Sequence, residues 1–329
     1  MNEVNNNSEI IEYCKEIGLD TIGFTKCRKF SELEEMFKYR KTNGLQNIFE
    51  EKDIDKRINP NLYMKEGKTI ISIAFPYLYG KNFIEGISFS KYTHGLDYHY
   101  VVELYLNKIC KFIEKLGGKA IPFVDSNALP ERYIAKLCGL GFIGKNQMLI
   151  TEKYGSYVFL GEIITDLSIE ESYQIKEDCG KCNVCLNGCP TSSIYKDGCN
   201  PNKCLSFITQ KKELEDEWIL KLGGRVFGCD SCQKICPKNV KINFSEILEF
   251  KPFSYMEKIN IEEIIFMNNR TFKEKYKITS CGWRGKNLLQ RNVIINVFLS
   301  SGVVEYDWNE IKSPYVKEYY NRLLYLIKL

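Results

Sequence analysis

Two periods of apolar residues organise the first half of the chain. Over residues 9–17 and 31–40 apolar positions recur at the three-to-four-residue spacing of a helix with one buried face. In the second stretch Ser31 and Glu34 are spaced as a capping box, which predicts the helix start. Three shorter runs, 69–75, 120–124 and 157–164, are almost continuously apolar, which predicts buried strands. Between the first two, residues 98–116 carry a long amphipathic pattern closed by Gly117 and Gly118, and a helix is expected there. Residues 1–170 therefore predict an α/β domain.

The pattern changes over residues 171–243, where cysteine, glycine and proline replace the long apolar runs. Such a stretch is expected where inorganic clusters stand in for a hydrophobic core. Helical periodicity returns over 244–329, most clearly at 284–299 and 315–327. One helical pair is too little for a repeat array.

Composition narrows the chemistry. A hydrophobic content of 44% in 329 residues suffices for real cores, and a net charge of +4 identifies no partner. The opening MNEVNNNSEI lacks a basic-then-apolar signal, and no run reaches the ~18 apolar residues of a membrane span. A soluble, cytoplasmic protein with no membrane association is expected. Cysteine stays reduced there, so 14 cysteines point to metal ligation more than to disulfides.

Their spacing is specific. Cys179, Cys182, Cys185 and Cys189-Pro190 reproduce C-x2-C-x2-C-x3-C-P, the bacterial ferredoxin run that ligates 4Fe–4S clusters. Three close thiolates can cap one face of a cubane, and the fourth serves the other cluster in two-cluster ferredoxins. The partner set, Cys229, Cys232 and Cys236-Pro237, is incomplete, with Val226 where a first cysteine would stand. Crossing the two Cys-Pro residues gives one cluster on Cys179, Cys182, Cys185 and Cys236. The other falls to Cys189, Cys229, Cys232 and either Cys199 or Cys204. Zinc also takes paired C-x2-C motifs but rarely three cysteines at this spacing followed by Cys-Pro. Cys14, Cys27, Cys110, Cys138 and Cys281 are expected to be isolated buried thiols. No G-x-G-x-x-G follows an expected strand, so a Rossmann cofactor site has weak support.

Several segments occur in the order found in one family: RINP (57–60), KYTHGLDYH (91–99), VDSNALPER (124–132), GLGFIGKN (139–146), GSYVFLGEIITD (155–166), both cysteine sets, CLSF (204–207) and GWRGK (282–286). The chain resembles the epoxyqueuosine reductases over most of its length. The resemblance implies a cobalamin-dependent iron–sulfur oxidoreductase that converts epoxyqueuosine to queuosine in tRNA, the final step of queuosine biosynthesis, with an external low-potential electron donor. It implies a reductive-dehalogenase-like cobalamin domain, a bacterial-ferredoxin-like two-cluster domain and a short HEAT-like helical region. It also selects Cys204 over Cys199 as the eighth cluster ligand and makes Asp125 the proton donor. Arg57, Asn146, Leu149, Ser156 and Leu160 match segments that contact cobalamin in the family, and Ser206 and Thr209 lie near its cluster-facing side.

An epoxide oxygen that departs needs a proton, so a donor carboxyl must be neutral near pH 7. Burial beside an apolar corrin is expected to raise the pKa of Asp125 in that direction. The plainer role for Asp125 is a strand-end aspartate capping the next helix. His94 and His99, the only histidines, are expected to be structural; Glu131 and Arg132 to form a local ion pair; Gly139, Gly141 and Gly144 to permit tight turns and close packing.

Two departures from the family bear on substrate. The proline expected about three residues after the aspartate stands at Pro130, and the chain ends soon after GWRGK, where longer members continue with helical repeats that hold tRNA. A reduced tRNA footprint or a different substrate is then expected. Between residues 270 and 291, Arg270, Lys273, Lys275, Lys277, Arg284, Lys286 and Arg291 face only Glu274, with Tyr276 and Trp283 interleaved, a pattern suited to phosphate contact. The alternatives are a cobalamin-dependent reductase of a small molecule, dehalogenase-like, and a bare electron carrier, which would not need so large an α/β domain.

Overall fold

The computed structural model describes residues 6–301 and 306–326. Its main sheet has strands β1 (Ile22–Lys26), β2 (Thr69–Pro76), β3 (Ala120–Phe123) and β4 (Val158–Thr165) in the order β1-β2-β4-β3. Every neighbouring pair is antiparallel. The expected α/β domain is thus corrected to an antiparallel sheet with helical layers, since apolar runs locate strands without fixing their direction.

β2 is buried along its whole length because both faces are covered. Ile71, Ile73 and Phe75 pack in one core with helices α1 (Asn6–Glu16) and α3 (Tyr98–Lys115). Ile70 and Ala74 belong to a second core with α2 (Glu34–Thr42) and α4 (Glu131–Leu137). α3 presents Val101, Val102, Leu106, Ile109 and Ile113 to the sheet. It comes so close to β4 that a methyl group on Gly161 would stand 2.7 Å from Val102 Cγ1. The helix begins at Asp97, whose carboxylate accepts from the His99 N–H, and ends where Gly117 takes φ +86°.

Three local expectations change. Ser31 lies in a 3-10 turn, and α2 is entered through Leu33 with no side-chain cap. Buried Phe30 fixes the chain there instead, its N–H donating to Ile58 O. β3 is an edge strand with Ile121 36% exposed, so its apolar run does not mean burial on both faces. β1 has a mixed pattern that gave no strand signal, yet it pairs along β2 and buries Phe24.

The cysteine-rich stretch is less separate than its composition suggests. Leu205, Ile208, Leu222, Val226 and Phe227 share one core with α5 (Lys286–Ser301) and α6 (Pro314–Leu326). The short strand Arg225–Phe227 also pairs in parallel with Ser88–Phe89. A boundary at 243/244 therefore separates sequence patterns, whereas the packing is continuous across it. Ile327, the last position of the expected final helix, lies outside the described residues. Among the described residues no helix is long and apolar enough to cross a membrane.

Candidate functional site

Past the end of β3 the chain turns, and Asp125 takes φ +42°, a left-handed conformation that costs a non-glycine residue roughly 1–3 kcal/mol. Several bonds hold it there. Its N–H donates to Glu131 Oε1 at 2.6 Å, the Tyr98 hydroxyl donates to its Oδ2 at 2.7 Å, and His99 Nε2 lies 3.0 Å from the same oxygen. The other imidazole nitrogen, Nδ1, is 2.8 Å from Asp97 Oδ1. The Tyr98 ring stacks between His99 at 4.1 Å and Phe159 at 4.3 Å, which anchors this turn of α3 to β4.

An imidazole between two carboxylates satisfies both only as the doubly protonated cation. Burial alone would lower the His99 pKa, but the bonds to Asp125 and Asp97 outweigh it and push the ring up to about 9. Burial would raise Asp125, yet the bonds from His99 and Tyr98 bring it below the usual carboxylate value, and its side chain remains 54% exposed. The expected neutral Asp125 is thus corrected: here it is a carboxylate, and the mobile proton sits on His99. Nor does Asp125 cap α4, whose N-cap is Pro130.

A stability signature follows. The folded state holds on His99 a proton that the unfolded chain releases near pH ~6.5. The stabilisation is therefore complete below that pH and lost as pH rises through about 9. Thermal unfolding of His99→Gln should lack this alkaline decline; an identical pH profile would contradict the bridge.

His99 therefore leaves the structural role expected for it, whereas His94 keeps it. His94 is buried and neutral, its pKa lowered to about 4 by burial and then by Lys91. Sequence alone hides the difference, because the bond to Asp125 joins residues 26 positions apart. The expected Glu131–Arg132 pair does not form. Glu131 turns to Asp125 N and Asn127 Nδ2, and Arg132 donates to Gln147 O at 3.0 Å. Glu131 and Glu162 were both missed as site residues; the one available signal was a glutamate inside the apolar run of β4. Gly141 does serve close packing, for a methyl there would meet Ile150 O at 2.2 Å.

The residues expected at a cofactor are divided. Asn146 is 8% exposed; its Oδ1 accepts from Met148 N, while its buried Nδ2 has no partner. Leu149 and Leu160 line the core beside α4. Arg57 is engaged by Glu50 at 3.0 Å and lies 3.9 Å over the Phe37 ring. Ser206 meets the Tyr92 phenol. Ser156 and Thr209 are fully enclosed. Ser156 Oγ accepts from Asn239 and Gln233, and Thr209 Oγ1 donates to Ser206 O and accepts from Gly228 N. Both side chains therefore brace neighbouring loops.

The GLGFIGKN loop carries the first cysteine set. Lys145 N–H donates to Cys179 Sγ at 3.4 Å, and its Nζ donates to Gly180 O, Cys182 O and Asn183 Oδ1, each at 2.9 Å. Burial and then the charges of Cys179, Cys236 and Cys182 raise the Cys185 thiol, and Cys236 feels both Cys179 and Cys182. Burial and Cys229 raise Cys204, with Cys189 nearby, and Cys232 feels Cys229, Cys204, Cys185 and Cys189. Cys236 thus lies with the first set and Cys204 with the second, while Cys232 is also near Cys185, so the two groups adjoin. Cys199 instead faces Arg40, Arg132 and Glu50. Cys14, Cys110, Cys138 and Cys281 are free and buried, and Cys27 is half-buried.

The basic stretch is smaller than its sequence. Arg291 is wholly buried and donates to Lys211 O, Lys212 O and the Tyr315 hydroxyl; Tyr276 is buried too. Arg270 pairs with Glu274 and Lys275 with Glu263. At the surface, Trp283 is 55% exposed, with Arg284 over its ring at 4.7 Å and Phe49 edge-on at 5.3 Å. Arg291→Ala is expected to destabilise by about 1–3 kcal/mol for each buried carbonyl left without its donor, measured by denaturant unfolding. An unchanged midpoint would return Arg291 to the surface.

These features define a class: an iron–sulfur redox protein whose two cysteine groups abut an antiparallel domain bearing an acid site. Residues 57–126 match the family described as epoxyqueuosine reductase QueG, DUF1730, and residues 178–239 match the 4Fe-4S double cluster binding domain. The chain is 38% identical over 299 residues to the epoxyqueuosine reductase of Bacillus anthracis, covering 87% of this chain and 78% of that one. A crystal structure of an epoxyqueuosine reductase with an epoxyqueuosine-modified tRNA-Tyr stem loop is 34% identical, with a TM-score of 0.87 over 95% of this chain and 88% of that one. A Bacillus subtilis epoxyqueuosine reductase with a catalytic loop swung out of the active site is 32% identical, with a TM-score of 0.84 over 97% of this chain and 94% of that one. The chain belongs to the epoxyqueuosine reductase family.

Proposed function

We propose that the protein reduces epoxyqueuosine to queuosine in tRNA, drawing electrons from an external low-potential donor through two 4Fe–4S clusters. The observation that carries this is the joining, within a chain of this family, of two adjoining cysteine groups to an acid site built on Asp125 and His99. Cys179, Cys182, Cys185 and Cys236 hold one cluster; Cys189, Cys204, Cys229 and Cys232 hold the other. Cobalamin, when bound, supplies two-electron reducing power at one metal centre. The unpartnered Nδ2 of Asn146 fits a hydrogen-bond acceptor such as a corrin amide, with Leu149 and Leu160 supplying apolar walls and Arg57 and Ser206 at the margins. Asp125 Oδ2 and His99 Nε2 share the proton offered to the departing oxygen, and Tyr98 fixes that oxygen of Asp125.

A tRNA substrate implies the cytoplasm. The ranges 1–170, 171–243 and 244–329 are read as functional segments, the last contributing a short HEAT-like helical pair. Phe49, Trp283 and Arg284 offer a stacking surface, and Lys273 and Lys277 are exposed in the same basic stretch. Lys273→Gln and Lys277→Gln should weaken stem-loop binding and flatten its log–log salt dependence by about 0.7–0.9 per lost phosphate contact. Unchanged slopes would put the RNA elsewhere. The reading itself is tested in a strain lacking the protein, whose tRNA should carry epoxyqueuosine in place of queuosine; normal queuosine there would contradict it.

A further inference from the structure

Removing an epoxide oxygen as water breaks both C–O bonds, forms the C=C bond and consumes two electrons and two protons. The electrons come one at a time from the external donor. Asp125 and His99 share a single mobile proton, so the second must come from elsewhere. Behind Asp125 stand two more carboxyls. Glu131, in the first turn of α4, receives the Asp125 N–H at 2.6 Å and Asn127 Nδ2 at 3.1 Å. Glu162 on β4 pairs in register with Phe123, two residues before Asp125, and with Ser72 on β2. It is wholly buried; Oε1 accepts from Ser72 Oγ at 3.2 Å, and Oε2 has no partner. A bare carboxylate enclosed in this way would leave a charge uncompensated, whereas a shared proton removes that cost.

We propose that Glu131 and Glu162 form a proton store behind Asp125, together holding one proton that reloads the Asp125–His99 pair for the second protonation of the departing oxygen. This rests on the reductase reading above. The surroundings contain little to neutralise the pair otherwise. Ser72 comes from β2, the Cys138 thiol from the end of α4, Asp125 and Asn127 from the loop, and Arg132 from α4; His99 and Tyr98 lie beyond Asp125. Burial and then Asp125 raise Glu131, and burial and then Glu131 raise Glu162. The Asp125 N–H bond keeps donor and store on one turn.

The test uses holoenzyme with both clusters and cobalamin, and an anticodon stem-loop carrying epoxyqueuosine. In the unmodified enzyme kcat should fall as rising pH removes the shared proton, in a limb separate from that of His99 near about 9. Glu162→Gln mimics the protonated side chain in shape but releases no proton. It should lower kcat by about ten-fold or more, leave KM unchanged and abolish the limb of the shared proton. An infrared band from a protonated carboxyl at neutral pH should be present in the unmodified enzyme and absent from the variant. Unchanged kcat with a retained limb overturns the store. Should the variant fail to fold, absence of that band from the unmodified enzyme overturns it equally. No queuosine from the unmodified holoenzyme would instead strike the reductase reading.

Discussion

Asp125→Asn should slow single-turnover epoxide reduction by about 10²–10⁴-fold, the usual weight of a positioned acid–base group, with clusters, cobalamin and stem-loop affinity retained. The variant is nearly isosteric, so the turn at φ +42° and the bond from the Asp125 N–H to Glu131 persist. What changes is charge. The amide can still meet Tyr98, but it neither receives a proton from His99 Nε2 nor returns one to an oxygen leaving carbon. His99 loses one of its two anionic partners, so its pKa should fall from about 9. The high-pH limb of the rate profile should move down with it. A single-turnover rate close to that of the unmodified protein would remove Asp125 from the proton path.

The second large effect is expected at Cys204. Cys204→Ser replaces a thiolate with a hydroxyl that binds iron poorly. One of the two clusters should be lost, and with it electron delivery and all turnover. Cys199→Ser, only five positions away, should keep both, since the charged side chains acting on Cys199 are Arg40, Arg132 and Glu50. Iron and sulfide analysis of the two purified variants checks this. Equal losses would reverse the assignment.

Local periodicity in the sequence located β2, β4 and α3 because each buries one or both faces, and the spacing of its own apolar residues records that burial whatever the partner. It missed β1, whose alternation is masked by Gly23 and Thr25, and it could not give strand direction. Cysteine spacing made the clusters legible because chelation imposes short, fixed intervals. The acid site was legible only in Asp125. His99, Glu131 and Glu162 act through contacts across the sheet, and the ionisation state of Asp125 depends on a partner 26 residues away. The charge run at 270–291 misled in the opposite way, for Arg291 is committed to backbone carbonyls inside the core.

The central claim is tested most directly by turnover on a defined RNA. The protein, reconstituted anaerobically with both clusters and cobalamin and supplied with a low-potential reductant, is incubated with an anticodon stem-loop carrying epoxyqueuosine, and the nucleosides are analysed by mass. The expected result is queuosine, lighter by one oxygen, formed by the unmodified protein and nearly absent with Asp125→Asn. Intact epoxyqueuosine after incubation with fully loaded, reduced protein would contradict the assignment.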